Sequence, residues 1–222
     1  MKPSSLILTQ DGSHTLLHAK TGEHYHSGFG AIQESEHIFI KAGLEAVNIH
    51  NDTLNILEIG MGTGLNALLS MRWAESHHQI IDYTGLEVSP PELYQLKLLN
   101  YPDLLNMDNA LLPQFYSTES KQKLSPYFQL QWVHQKFEDF LPESTQYHLV
   151  YFDAFSPQVQ PEMWTEQGFN KLYKALKPGG ILTTYSCKGQ VKRALTTNGF
   201  KIEKLPGPPG KREFLRARVP YK

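Results

Sequence analysis

The sequence of 222 residues predicts an α/β fold: a largely parallel sheet of seven strands with an antiparallel last strand, preceded by an N-terminal β-hairpin. Three observations carry this expectation. Short apolar runs alternating with helical patterns recur from about residue 54 to residue 200, as strand–helix–strand units require. Three of these runs close on an acid, at Glu58, Glu87 and Asp153. Finally, Lys201 to Leu205 and Glu213 to Val219 are strand-like and joined only by Pro206-Gly207-Pro208-Pro209-Gly210 plus Lys211 and Arg212. So short a link cannot make a parallel crossover, and the last strand must reverse.

The elements follow in order. Leu6-Ile7-Leu8 and Leu16-Leu17-His18 flank an Asp11-Gly12 turn, which makes a hairpin of the first 26 residues. Residues 1–35 thus read as an appendage and loop, and 36–222 as a Rossmann-like domain. Ile40, Leu44 and Val47 repeat at helical spacing within a helix over Glu36 to Ile49. After the strand at 54–59, Leu65, Leu68, Leu69 and Trp73 mark the first crossover helix, and Ile80 to Leu86 the second strand. Residues 89–127 exceed a plain crossover and read as an insertion with helical pieces at 91–99 and 104–115. Phe128 to His134 is the third strand and Leu149 to Phe152 the fourth. A helix with Phe169, Leu172, Tyr173 and Leu176 stops at Lys177-Pro178-Gly179-Gly180. Ile181 to Tyr185 is the fifth strand, and a short helix around Val191, Ala194 and Leu195 is stopped by Gly199.

Glu58-Ile59-Gly60-Met61-Gly62-Thr63-Gly64 closes the first strand of the sheet and opens its helix. Glycines there allow a sharp turn and close approach of backbone N–H groups to a ligand. A dinucleotide places a pyrophosphate at this helix N-terminus, where an adjacent Glu58 would repel it. An acid beside the turn suits a ligand with an ammonium group and no phosphate. S-adenosylmethionine is such a ligand, and the spacing resembles the first motif of class I methyltransferases. Glu58, Gly60, Gly62 and Gly64 are therefore assigned to its methionine part. Glu87, one crossover later, is placed to take the ribose hydroxyls.

Composition excludes several other classes. No apolar run reaches the roughly 18 residues a membrane span needs, and Met1-Lys2-Pro3-Ser4-Ser5 has no apolar core behind it, so a secretory signal is not expected. A cytoplasmic protein without membrane partners follows. Cys187 is the single cysteine, which excludes an intramolecular disulfide, and the ten histidines lack metal-ligand spacing, so no metal site is expected. The formal net charge is −1, which leaves any nucleic-acid contact to a local surface. The segment Lys188 to Arg218 holds nine lysines and arginines against Glu203 and Glu213. It reads equally well as such a surface and as a solvated basic face.

Ligands of open α/β sheets sit beyond the carboxyl ends of the strands. At the third strand end, Glu138 and Asp139 read either as acids near the adenine amino group or as first-turn residues favoured by a helix dipole. At the fourth, Asp153 faces the place of the transferred methyl group. Methyl transfer is an in-line displacement that depends on positioning, and an amine acceptor must be unprotonated when it attacks. A nearby carboxylate also raises the amine's pKa. Asp153 is therefore assigned first to positioning the amine and second to receiving its proton. Phe155 and Trp164 either stack on a base or pack in the core. Tyr25, Gln33, Glu34 and His37, close to Gly28 and Gly30, read as a loop over the cofactor or acceptor, or as a helix cap with exposed flanks.

Five segments occur in an order that resembles the methyltransferase domain of the MnmC family, which modifies the tRNA wobble uridine. They are Tyr25-His26-Ser27 with Gly30 to Ile40, Glu58 to Asn66, Asp153-Ala154-Phe155-Ser156-Pro157 with Pro161-Glu162-Met163-Trp164-Thr165, Thr184-Tyr185-Ser186, and Gly210-Lys211-Arg212-Glu213. The resemblance runs from about residue 20 to 218. It implies S-adenosylmethionine-dependent N-methylation of 5-aminomethyl-(2-thio)uridine at the wobble position of tRNA, giving 5-methylaminomethyl-(2-thio)uridine. Tyr25, Gln33, Glu34, Phe155, Trp164, Tyr185, Lys211 and Arg212 would then face the substrate, with Lys211 and Arg212 on a phosphate of the anticodon loop.

In two-domain relatives a flavin-dependent oxidoreductase domain prepares the aminomethyl group. This chain shows no second glycine-rich nucleotide motif, so the expectation is a stand-alone methyltransferase without flavin, supplied by a separate oxidoreductase or amine-forming enzyme. One departure is that Gln135-Lys136 replaces the family's Gly-Asp pair. The alternatives are a small-molecule methyltransferase or aminopropyltransferase, which shares the glycine strand, and a non-catalytic cofactor-binding scaffold.

Overall fold

The computed structural model describes residues 5–48 and 53–221. The reading of Met1 to Ser4 as lacking a signal, and the last residue of the helix read as ending at Ile49, lie outside the described residues.

β1 (Ser5–Leu8) and β2 (His14–Leu17) pair antiparallel, with Leu8 opposite His14. The Asp-Gly turn works as its chemistry requires: Asp11 Oδ1 accepts from the Ser13 backbone N–H at 2.9 Å. Helix α1 (Ala31–Ser35) then runs into a π-helical stretch, Glu36–Lys41, and a 3₁₀ turn, Leu44–Ala46. The helix therefore starts before the predicted Glu36. Its first-turn N–H groups are satisfied by the hairpin, since Ser13 Oγ accepts from Ala31 at 3.1 Å and Asp11 Oδ2 from Gln33 at 2.9 Å. Caps supplied from twenty residues away leave no local signature.

Among the described residues the main sheet has eight strands, in the order β5-β6-β4-β3-β7-β8-β10-β9. β3 (Leu54–Ile59), β4 (Ile81–Leu86), β6 (Phe128–Val133), β7 (Tyr147–Phe152) and β8 (Leu176–Thr184) run parallel. β10 (Glu213–Arg218) lies antiparallel between β8 and β9 (Lys201–Pro206), as the short 206–212 link dictates. The eighth strand, beyond the seven expected, is β5 (Gln122–Lys123), an antiparallel edge too short to show periodicity. A second correction concerns Lys177 to Gly180, read as a helix stop. These residues belong to β8, where a register irregularity between Tyr147 and Leu149 and the positive φ of Gly179 absorb them.

Alternate residues of each central strand feed two cores. Leu54, Ile56, Leu149 and Tyr151 join α2 (Leu65–His77), whereas Leu57, Ile59, Val150 and Phe152 pack with α6 (Glu166–Ala175) and α7 (Gly189–Thr197). The insertion folds into α3 (Leu93–Leu96), α4 (Tyr101–Leu105), the 3₁₀ turn Asn109–Leu111 and α5 (Leu112–Phe115). Asn100 joins it to the hairpin, accepting from the His14 N–H at 2.8 Å and donating to the Gly12 carbonyl at 2.9 Å. No helix among the described residues is long and apolar enough to cross a membrane.

Candidate active site

A cavity of about 410 Å³ opens beyond the carboxyl ends of β3, β4 and β7, within the range of roughly 300–1,000 Å³ usual for ligand pockets. Its floor is the glycine turn. Gly60 has φ 83°, and a Cβ there would stand 2.8 Å from the Asp153 carbonyl oxygen. Gly62 has φ 51°, with the Tyr25 ring 2.9 Å from its would-be Cβ. Both positions thus need glycine for backbone conformation and for close approach of other chain segments. The N-terminal segment forms the roof, through Glu23 to Phe29 and Glu34. His26 anchors this roof to the turn by pairing Nε2 with Thr63 Oγ1 at 2.8 Å, and burial lowers its pKa to about 4, which keeps the ring neutral.

Glu87 stands on the wall at the end of β4. Its Oε2 accepts from the Gly62 backbone N–H at 3.0 Å and its Oε1 from Ser89 N–H at 2.9 Å. Asp153, at the end of β7, also lines the cavity, and its Oδ2 accepts from Asn66 Nδ2 at 2.9 Å. Burial, reinforced by the nearby Glu34 carboxylate and opposed by Asn66 and Lys211, raises the Asp153 pKa to about 7. Lys211 reaches inward from the β9–β10 link. It ion-pairs with the buried Glu34, and its ammonium lies 4.4 Å from the centroid of the Tyr185 ring. Glu34 in turn accepts from the Ser27 N–H at 2.8 Å, and Tyr185 donates to the Ala154 carbonyl at 2.9 Å. Burial pushes the Tyr185 phenol above its ordinary range. At the rim, Phe155 meets Tyr25 and His18 with ring centroids 5.1 and 5.0 Å apart.

The structure thus brings Tyr25, Glu34, Gly60, Gly62, Glu87, Asp153, Phe155, Tyr185 and Lys211 together around one cavity. Other assigned residues lie elsewhere. Glu58 is 1% exposed and behind the wall, where its carboxyl accepts from Asn66 Nδ2 and Tyr83 Oη, each at 2.7 Å. It is not part of the cavity lining, and burial raises its pKa well above the ordinary glutamate value. Gly64 caps α2 in a left-handed conformation against Phe115, one layer down. Glu138 and Asp139 are exposed, with Glu138 in a surface pair with Lys136, so neither reaches the wall; Gln135 and Phe137 of the same stretch do. Trp164 is buried behind Phe155, to whose carbonyl it donates at 2.8 Å. Gln33 and Arg212 are exposed and off the cavity. Lys211 is held by Glu34 instead of being the mobile cation expected. Glu23, His26 and Gln135 were missed. Only Glu23 and His26, flanking Tyr25, carried a local signal of neighbourhood.

The donor set fits the sulfonium cofactor. Glu23, Glu34, Glu87 and Asp153 line the cavity against Lys211, the only lysine or arginine there among the described residues, and Lys211 is already paired. A cation is favoured there and a pyrophosphate is not. Among the described residues, no group of three or more His, Cys, Asp and Glu side chains could hold a metal ion.

Comparison with known proteins agrees with this chemistry. The tRNA 5-methylaminomethyl-2-thiouridine biosynthesis bifunctional protein MnmC of Marinobacter nauticus is 30% identical over 240 residues, which cover 99% of this chain and 37% of that protein. The protein of the same name from Burkholderia mallei is 29% identical over 235 residues, 96% of this chain and 35% of its own length. The chain therefore spans about a third of the length of the curated relatives it matches. The crystal structure of MNMC2 from Aquifex aeolicus has the same fold, with a TM-score of 0.75 at 23% identity over 100% of this chain and 73% of that one. Residues 102–220, more than half of the sequence, match the family described as S-adenosyl-L-methionine-dependent methyltransferase. The chain belongs to the family of S-adenosyl-L-methionine-dependent methyltransferases.

Proposed function

We propose that the protein N-methylates the aminomethyl group of 5-aminomethyl-(2-thio)uridine at the wobble position of tRNA. The observation that carries this reading is Asp153, a cavity-wall carboxylate whose pKa of about 7 matches the task of taking a proton from an amine near neutral pH. The names of the relatives supply the acceptor. On this reading Glu23 to Phe29 and Glu34 act as the roof of the pocket, and the aminomethyl group is made beforehand by an amine-forming reaction.

The residues divide the work. The Gly60 and Gly62 backbone and Glu87 hold the cofactor, with Glu87 toward its ribose. When bound, S-adenosylmethionine supplies a methyl group on a positively charged sulfur. Asp153 orients the acceptor amine and receives the proton that the amine nitrogen loses as its new N–C bond replaces the methyl carbon–sulfur bond, whose electron pair stays on sulfur. Burial raises the Asp153 pKa to about 7, which makes it a stronger proton acceptor than an exposed carboxylate. Tyr25 and Phe155 present ring faces and edges at the rim, where a base can stack. The basic segment after Lys188 is the surface for backbone phosphates.

The test is transfer of label. Incubation with methyl-labelled S-adenosylmethionine and tRNA carrying aminomethyl uridine should place label in the wobble nucleoside, as 5-methylaminomethyl-(2-thio)uridine on chromatography. Label in a small amine but not in that nucleoside would instead favour the small-molecule transferase.

A further inference from the structure

We propose that Asn66 is the positioning residue of Asp153: its amide nitrogen, anchored on Glu58, fixes one carboxylate oxygen and leaves the other for the acceptor amine. This deepens the methyl-transfer reading and rests on it for the identity of the acceptor.

The geometry is a three-residue bridge. Asn66 Nδ2 donates to Glu58 Oε1 at 2.7 Å and to Asp153 Oδ2 at 2.9 Å, one hydrogen for each carboxyl group. Glu58 is itself fixed from the other side by the Tyr83 hydroxyl at 2.7 Å. Glu58, Asn66 and Tyr83 are each at most 1% exposed, so none of the three can turn toward water. Among the described residues no side chain bonds Asp153 Oδ1, although Asp153 stands on the cavity wall. The bridge therefore selects which oxygen is free. It also explains why an acid ends β3 without reaching the ligand: Glu58 is the support on which Asn66 is aimed.

The charged and titratable groups facing Asp153 come from every element packed on it. They are Glu34 of α1, Glu58 of β3, Tyr83 of β4, Tyr185 after β8, and Lys211 from the β9–β10 link, with Glu87 facing Glu58. Glu34 raises the Asp153 pKa, whereas Lys211 and the Asn66 hydrogen bond lower it. Removing the Asn66 donor therefore moves the titration of Asp153 upward.

The carboxyl groups are followed by ¹³C NMR in the protein without substrate, with Asp153 assigned through Asp153→Asn. In Asn66→Ala, or in Asn66→Ser where the alanine variant does not fold, the midpoint near 7 should rise by about half a unit or more. Glu58→Gln keeps an acceptor for Asn66 and should leave the midpoint above 6. Turnover of the Asn66 variant at pH 7 should fall about twofold or more, in step with the raised midpoint, and recover at higher pH, while affinity for S-adenosylhomocysteine stays within about twofold. A folded Asn66 variant with an unmoved midpoint, or an activity loss equal at every pH, overturns the proposal. Wild-type protein that titrates as stated but labels no tRNA would overturn the tRNA reading and leave the bridge standing.

Discussion

The backbone N–H of Gly62 donates to Glu87 Oε2 at 3.0 Å, so one bond ties the glycine turn after β3 to the acid that ends β4. Both halves of the proposed cofactor cradle depend on it. Glu87→Ala removes the acceptor of the turn together with the partner proposed for the ribose. Hydrogen bonds to a charged group contribute about 1.5–3 kcal/mol, so affinity for S-adenosylhomocysteine should fall about tenfold to a hundredfold by titration calorimetry. An unchanged affinity would remove Glu87 from the site.

The Asp153→Asn variant should be more stable than the wild type, by an amount that grows with pH. Burial raises the folded-state pKa of Asp153 from 3.8 to about 7, so between those values the unfolded chain has lost the proton that the folded chain keeps. Folding then disfavours the ionised acid, and this cost increases as pH rises to about 7. The gain in unfolding free energy for Asp153→Asn should be greater at pH 8 than at pH 5 by roughly 2–3 kcal/mol. Urea unfolding at the two pH values measures it, and equal gains would show that Asp153 is not raised.

Lys211→Met should destabilise the fold, because Glu34 keeps 9% of its side-chain surface and would be left as a buried, unpaired carboxylate. Breaking a fully buried pair costs about 3–5 kcal/mol, and Lys211, 29% exposed, brings the expected loss nearer 1–3 kcal/mol. Adding Glu34→Gln to Lys211→Met should recover most of it in thermal melts. Additive losses in the double variant would mean that the pair is not coupled.

Tyr83→Phe deletes the hydroxyl that donates to Glu58 Oε2 inside a closed core. Leaving a buried acceptor without its partner costs about 1–3 kcal/mol, readable as a lower midpoint in denaturant unfolding. A variant as stable as the wild type would show that the Glu58 carboxyl does not need this donor.

Much of this architecture was legible because strands and crossover helices announce themselves by period and by their terminal residues. The reversed β10 followed from the length of one link, and Glu87 and Asp153 from their place at strand ends. What the sequence hid depends on contacts between distant segments. Asp11 and Ser13 cap α1 across the hairpin, and Lys211 finds Glu34 across 177 positions. Glu58 shows why a motif acid need not touch the ligand: spacing locates its Cα, whereas Asn66 and Tyr83 decide where its carboxyl goes. Glu138 and Asp139 lie on the surface, and the 134–146 crossover forms no helix, so their first-turn reading does not arise.

The claim that Asp153 receives the amine proton is tested most directly by single-turnover methylation of an aminomethyl-uridine anticodon stem-loop between pH 6 and 9. The wild-type rate should rise through a midpoint near pH 7, as the carboxylate ionises. Asp153→Asn should be slower by about 10²–10⁴-fold, with binding of S-adenosylhomocysteine retained. A wild-type profile without a midpoint in this range, or an Asp153→Asn variant within a few-fold of the wild type, would contradict the account.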